Sequence, residues 1–120
     1  MKQINLLIVD DHPMIREGLV SMIKPYQDIN IVGTCSDGQE AIDSVDRLAP
    51  EVILMDIKMG KVNGIEATRE IISSNPGMKI IMLTIFEDAE SIRLALQAGA
   101  SGYMLKQASG EKLVDSIRLV

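Results

Sequence analysis

Apolar positions along the chain fall into two alternating patterns. Five short runs rich in Ile, Val and Leu recur at fairly even spacing: INLLIV from Ile4, NIVGTC from Asn30, EVILMD from Glu51, MKIIMLT from Met78 and SGYMLK from Ser101. Their length and β-branching predict strands. Between them the apolar residues step at helical spacing: Ile15, Leu19, Met22 and Ile23; Ala41, Ile42, Val45 and Leu48; Ile65, Thr68, Ile71 and Ile72; Ile92, Ala95 and Leu96; Leu113, Ile117 and Val120. Those segments predict amphipathic helices.

Local punctuation agrees with the alternation. Pro13 suits the first position of a helix, Asp37-Gly38 marks a turn before the second helix, and Asn75-Pro76-Gly77 stops the third. A strict strand–helix alternation requires right-handed crossovers, hence a parallel sheet with helices on both faces. The expected class is α/β, a doubly wound five-stranded parallel sheet flanked by five helices. No internal repeat, low-complexity tract or linker interrupts it. Helical spacing still runs at Leu119-Val120, so the expectation is a piece of a longer protein.

Composition narrows the picture. A chain of 120 residues fits one domain, and at that size folding buries roughly two-thirds of the surface the unfolded chain exposes. Hydrophobic residues make up 47% but aromatics only 2%, so the core must come from aliphatic side chains and the eight methionines. Met14, Met55 and Met59 are expected as core filler. The net charge of −5 offers no positive stripe for DNA or an anionic membrane. The single cysteine, Cys35, excludes an internal disulfide and a multi-thiolate metal site, and is expected to be a buried small hydrophobe. The apolar run Ile4–Val9 is interrupted by Asn5 and stopped by Asp10. It is too short for a signal peptide or a membrane span, which predicts a cytoplasmic protein.

In open α/β sheets the binding crevice lies beyond the carboxyl ends of the strands. The first strand delivers Asp10 and Asp11 there, the third Asp56, the fourth Thr84 and the fifth Lys106. Each alone has a plain structural explanation as a helix cap, turn former or solvated tip. Together they converge on one edge. Neighbouring strands lie about 5 Å apart, and two like charges 4 Å apart at an effective dielectric near 20 repel by roughly 4 kcal/mol. Three carboxylates so placed need a counter-charge beyond Lys106, and a hard divalent cation with a few protein oxygens and several waters fits Mg²⁺. Cation, lysine and hydroxyl together are the equipment of phosphoryl transfer. A carboxylate is already deprotonated at neutral pH and needs no activating base. Asp56, at the centre of the edge, is the best-placed acceptor, whereas His12 has no expected strand-end partner and is assigned to the turn into the first helix.

At these residues the sequence closely resembles the receiver domain of two-component response regulators. IVDDHP, VILMDIKM with NGIEA, IIMLT, and AGASGYMLK carry the resemblance over nearly the whole chain. It implies one flavodoxin-like receiver domain over residues 1–120, with Asp56 accepting a phosphoryl group from a partner histidine kinase. Mg²⁺ would be held by Asp10, Asp11, Asp56 and the backbone carbonyl of Lys58. Lys106 would pair with a phosphoryl oxygen, Thr84 would turn its hydroxyl onto another, and Tyr103 would then reorient inward as a switch. DDHPMIREGL and AGASGYMLK further resemble the NarL/FixJ subfamily, whose receivers precede a LuxR-type helix-turn-helix domain. That implies transcriptional control through a following DNA-binding segment and phosphorylation-dependent homodimers.

Two positions depart from the family pattern. Gly60 stands where proline usually follows the methionine of DIKM, and this should loosen the loop presenting Lys58. Gln107 stands where a proline often follows the lysine, leaving the Lys106–Gln107 peptide geometry open. Val20 and Leu94 fall off their helices' apolar stripes and are candidates for a dimer face. Three other readings compete: a stand-alone phosphorelay receiver, an aspartyl-phosphate hydrolase of the haloacid dehalogenase kind, and a flavodoxin-type electron carrier. The hydrolase expects Asp-x-Asp after the first strand and a cap region, and the carrier expects a Ser/Thr-rich phosphate loop. Adjacent aspartates in DDHPMI fit neither.

Overall fold

Among the described residues, ten elements alternate: β1 (Ile4–Val9), α1 (Pro13–Ile23), β2 (Ile29–Cys35), α2 (Gly38–Leu48), β3 (Val52–Asp56), α3 (Gly64–Ser74), β4 (Lys79–Thr84), α4 (Ala89–Gln97), β5 (Gly102–Leu105) and α5 (Gly110–Leu119). They come from a computed structural model that describes residues 2–59, 63–85 and 89–120. All strand pairs are parallel, and the strands lie in the order β2-β1-β3-β4-β5. The expected doubly wound sheet is thus present, with β3 at its centre.

The period-2 alternation of the strands sorts the core into two layers. Leu7, Val9, Ile53, Met55, Ile80 and Met82 point to one face, where Ala41 and Val45 of α2, Ala67 and Ile71 of α3 and Ala95 of α4 cover them. Leu6, Ile8, Leu54, Ile81 and Leu83 point to the other, covered by Leu19 and Ile23 of α1 and by Leu113, Val114 and Ile117 of α5. Strands buried on both faces are continuously apolar for this reason. Cys35 is buried, as expected.

Side-chain caps fix three helix starts. Asp37 accepts from the Glu40 N–H at 2.7 Å, Asn63 from that of Glu66 at 2.9 Å and Ser109 from that of Lys112 at 3.2 Å. α1 differs: His12 precedes Pro13 and gives no side-chain cap. Among the described residues, no helix is long and apolar enough to cross a membrane.

Five expectations about helix residues need correction. Val20 is half-buried and packs against the α1–α5 core layer rather than standing off it. Leu94 is half-buried, while Leu96, assigned to the buried stripe, is 46% exposed. Met22 is likewise exposed although its spacing placed it inside. Met14 is 85% exposed and fills no core, whereas Met55 and Met59 are buried.

Candidate functional site

Register alone brings the acids together. Val9 pairs with Met55, so the next step along both strands sets Asp10 beside Asp56. Thr84 pairs with Leu105, and the following residue, Lys106, donates its backbone N–H to the Thr84 carbonyl at 2.8 Å. Asp10 and Asp56 are buried, whereas the Asp11 side chain is one-third exposed. The Lys106 side chain is only 9% exposed. This excludes a solvated tip.

Lys106 Nζ lies 3.0 Å from Asp10 Oδ2 and 3.2 Å from Asp56 Oδ2. One ammonium therefore faces two buried carboxylates. Neither Oδ2 atom has an aligned hydrogen bond despite complete burial of both atoms. Burial pushes the Asp56 carboxyl up to about 6; the neighbouring Asp10 charge adds to the rise, and Lys106 opposes it without cancelling it. The other oxygen of Asp10 accepts from the His12 backbone N–H at 2.9 Å. Arg16 Nη1 donates to the Asp10 carbonyl at 2.7 Å, bracing the strand end from α1.

Asp56, Thr84 and Lys106 line a cavity of about 100 Å³, together with His12, Lys58 and Ser91. A wider groove of about 690 Å³ lies at the opposite end of the sheet, between Ile4, Pro50, Met78 and Val120, but it gathers no comparable set of acids. The chemistry belongs to the smaller space. α3 helps to shape it. The Gly64 N–H donates to the Ile57 carbonyl at 2.8 Å, and any Cβ at Gly64 would overlap the Asp56 backbone carbonyl.

Oxygen ligands suited to a hard divalent cation are in place. Among the described residues, Asp10, Asp11, His12 and Asp56 each offer a ligand atom, all within 4.8 Å of one another. The two unaligned Oδ2 atoms are the kind of buried acceptor a cation would satisfy. The residues present thus fit Mg²⁺.

The sequence-selected residues Asp10, Asp11, Asp56, Thr84 and Lys106 all reach this edge, and Lys58 lies on the cavity wall. Tyr103 does not reach it. The residue is 42% exposed and lies beside Ile92, Arg93 and Leu96. The Lys106–Gln107 peptide is trans. Gly60, expected to loosen the loop after Lys58, lies outside the described residues.

The expectation that His12 lacks a strand-end partner is wrong: its Nδ1 lies 3.2 Å from Asp10 Oδ1 and 2.9 Å from Asp11 Oδ1. Sequence reasoning also missed Arg16 and Gly64. For Arg16 the available signal was its position one helical turn after His12, and for Gly64 it was a glycine directly after the Asn63 cap.

A family model described as the response regulator receiver domain matches residues 6–118. Transcriptional regulatory protein LnrK of Bacillus subtilis is 41% identical over 117 residues, covering 98% of this chain and 53% of its own length. Response regulator GacA of Pseudomonas viridiflava is 39% identical, over 98% of this chain and 55% of its own. The crystal structure of a LuxR-family two-component response regulator from Aurantimonas superposes with a TM-score of 0.92 at 31% identity, over 98% of this chain and 84% of that one. The chain spans about half the length of the curated relatives it matches.

Proposed function

Because the chain belongs to the response regulator receiver family, we propose that it is a phosphorylation-activated signalling switch with Asp56 as phosphoacceptor and a histidine kinase as donor. One observation carries the assignment: a buried carboxylate at the end of the central strand faces a buried lysine and a second buried acid. An Asp56 oxygen bonds to the phosphorus of the donor phosphohistidine as the P–N bond breaks. The electron pair leaves with the imidazole nitrogen, which takes up a proton. Water later attacks the phosphorus and cleaves the acyl phosphate, returning the carboxylate. Both steps make this a self-catalysing regulator rather than an enzyme acting on many substrates.

Asp10, Asp11, Asp56 and the Lys58 backbone carbonyl would hold Mg²⁺, which would supply charge neutralisation for the phosphoryl oxygens. Lys106 moves from its shared position between Asp10 and Asp56 to pair with one phosphoryl oxygen. Thr84, on the same cavity wall, turns its hydroxyl to another. Tyr103, now outside, swings inward behind it and alters the face made by α4 and β5. That change promotes homodimers. Kinship with transcriptional regulators about twice as long supports a following DNA-binding segment as the output in the cytoplasm. A chain acting alone as a phosphorelay receiver is the competing output.

Incubation with Mg²⁺ and acetyl phosphate, followed by intact mass, tests the assignment. A single acid-stable, base-labile phosphoryl adduct that disappears in Asp56→Asn is the expected result. No adduct, or an adduct unchanged in that variant, overturns it.

A further inference from the structure

We infer that Gln107 is a positioning residue: its side-chain amide tethers the main chain just after Thr84 to the end of β5, and this tether opposes the switch to the phosphorylated arrangement. The inference rests on the proposed turning of Thr84 toward a phosphoryl oxygen and adds the restraint that this turning works against.

The tether is one bond with a fixed root. Gln107 Nε2 donates to the Ile85 carbonyl at 3.2 Å. On either side of Gln107 the main chain is held: the Lys106 N–H donates to the Thr84 carbonyl at 2.8 Å, and the Ala108 N–H donates to the Leu105 carbonyl at 3.0 Å. The Lys106 bond prolongs the β4–β5 ladder beyond Leu105, and the Gln107 side chain carries it on to Ile85. A proline at this position would bring no donor.

Geometry makes this bond the one that yields. At 3.2 Å it stands at the long end of the N–H···O range, whereas 2.8 Å lies near the short end. A displacement of about 0.5 Å between Ile85 and β5 therefore breaks the Gln107 bond and keeps the Lys106 bond. Ile85 is 48% exposed, so burial holds it only in part and a polar restraint carries weight there. It lines the same cavity as Asp56, Thr84 and Lys106, so the tether ends on the wall of the site. Only a contact that differs between two arrangements shifts their balance. Made with Tyr103 outside and Lys106 shared by Asp10 and Asp56, the tether counts for that arrangement alone. Its removal enlarges the competent fraction and tightens apparent binding of anything that selects the switched arrangement. The size is that of one exposed hydrogen bond, a factor of about three to ten.

Beryllofluoride, which mimics a phosphoryl group on a carboxylate, is titrated in the presence of Mg²⁺ into wild type, Gln107→Met and Gln107→Ala, with binding followed by NMR and stability by urea denaturation. The expected result is an apparent affinity about three- to tenfold tighter in both variants, although neither is more stable than wild type. A merely structural hydrogen bond would lower stability and leave the affinity unchanged. In wild type the Gln107 side-chain amide should also exchange its protons with solvent faster once beryllofluoride is bound. Saturable binding with equal or weaker affinity in the variants, or unchanged amide exchange, overturns the inference and leaves the Asp56 assignment standing. No beryllofluoride binding by any of the three proteins removes both. Should the variants fail to fold, the wild-type amide exchange decides.

Discussion

The two ends of the sheet treat their acids in opposite ways. At the amino end, Asp28 just before β2 receives both arms of Arg118, at 2.7 and 3.0 Å, and this hydrogen bonding holds its carboxyl below the usual carboxylate range. The same guanidinium lies 5.6 Å from the centre of the Tyr26 ring. At the carboxyl end, Asp10 and Asp56 share one Lys106 and neither facing oxygen is aligned with a donor. Asp56 is accordingly driven up to about 6. One acid is provided for by the fold, and the other is left to be satisfied by something that binds.

The largest expected effect comes from removing the shared cation. Lys106→Met leaves two buried acids uncompensated, and loss of one partner of a buried pair costs about 3–5 kcal/mol. Urea denaturation at pH 8 should display that loss, and it should shrink toward pH 5 as Asp56, pushed up to about 6, takes up its proton.

Asp56→Asn should act in the opposite direction. The folded carboxyl keeps its proton to about 6, whereas the unfolded one releases it near 3.8. Between those values the native state binds more protons, so stability falls as pH rises through the window and the full cost stands above it. Removing the charge in metal-free buffer should raise stability by about 1–3 kcal/mol at pH 8, with no gain below about pH 4. A variant no more stable than wild type at pH 8 would break the contrast between the two ends.

Saturating Mg²⁺ should stabilise wild type by a similar amount, about 2.7 kcal/mol at a hundred times the dissociation constant. Thermal melts with and without EDTA measure this. Asp10→Asn should abolish the gain. The smallest effect is expected at the other end: Arg118→Ala removes an exposed, salt-screened pair and should leave the melting temperature close to that of wild type.

Most of the carboxyl end was legible because its residues are placed by strand register. Continuous apolar runs identify β1, β3 and β4, and the first polar residue beyond each run lands on the same edge. What escaped depends on local geometry that periodicity does not encode. His12 joins the acids because the turn after β1 folds its backbone N–H onto Asp10. Gly64 matters because α3 starts against the Asp56 carbonyl, a contact between segments. α2 ends on Ala49 at φ 49°, a left-handed position for which glycine would be the expected signal. Val20, Leu94 and Leu96 were misplaced because a helical stripe gives the direction of burial but not its width. β5 lies at the sheet edge with little cover, so Tyr103 and Leu96 stay exposed.

The contrast is tested most directly by following the carboxyl carbons of Asp56 and Asp28 by NMR through a pH titration of metal-free protein. Asp56 should titrate near 6 and Asp28 below the ordinary aspartate range, and added Mg²⁺ should draw the Asp56 midpoint downward while leaving Asp28 in place. Both acids titrating together near 4, with neither responding to Mg²⁺, would contradict the account.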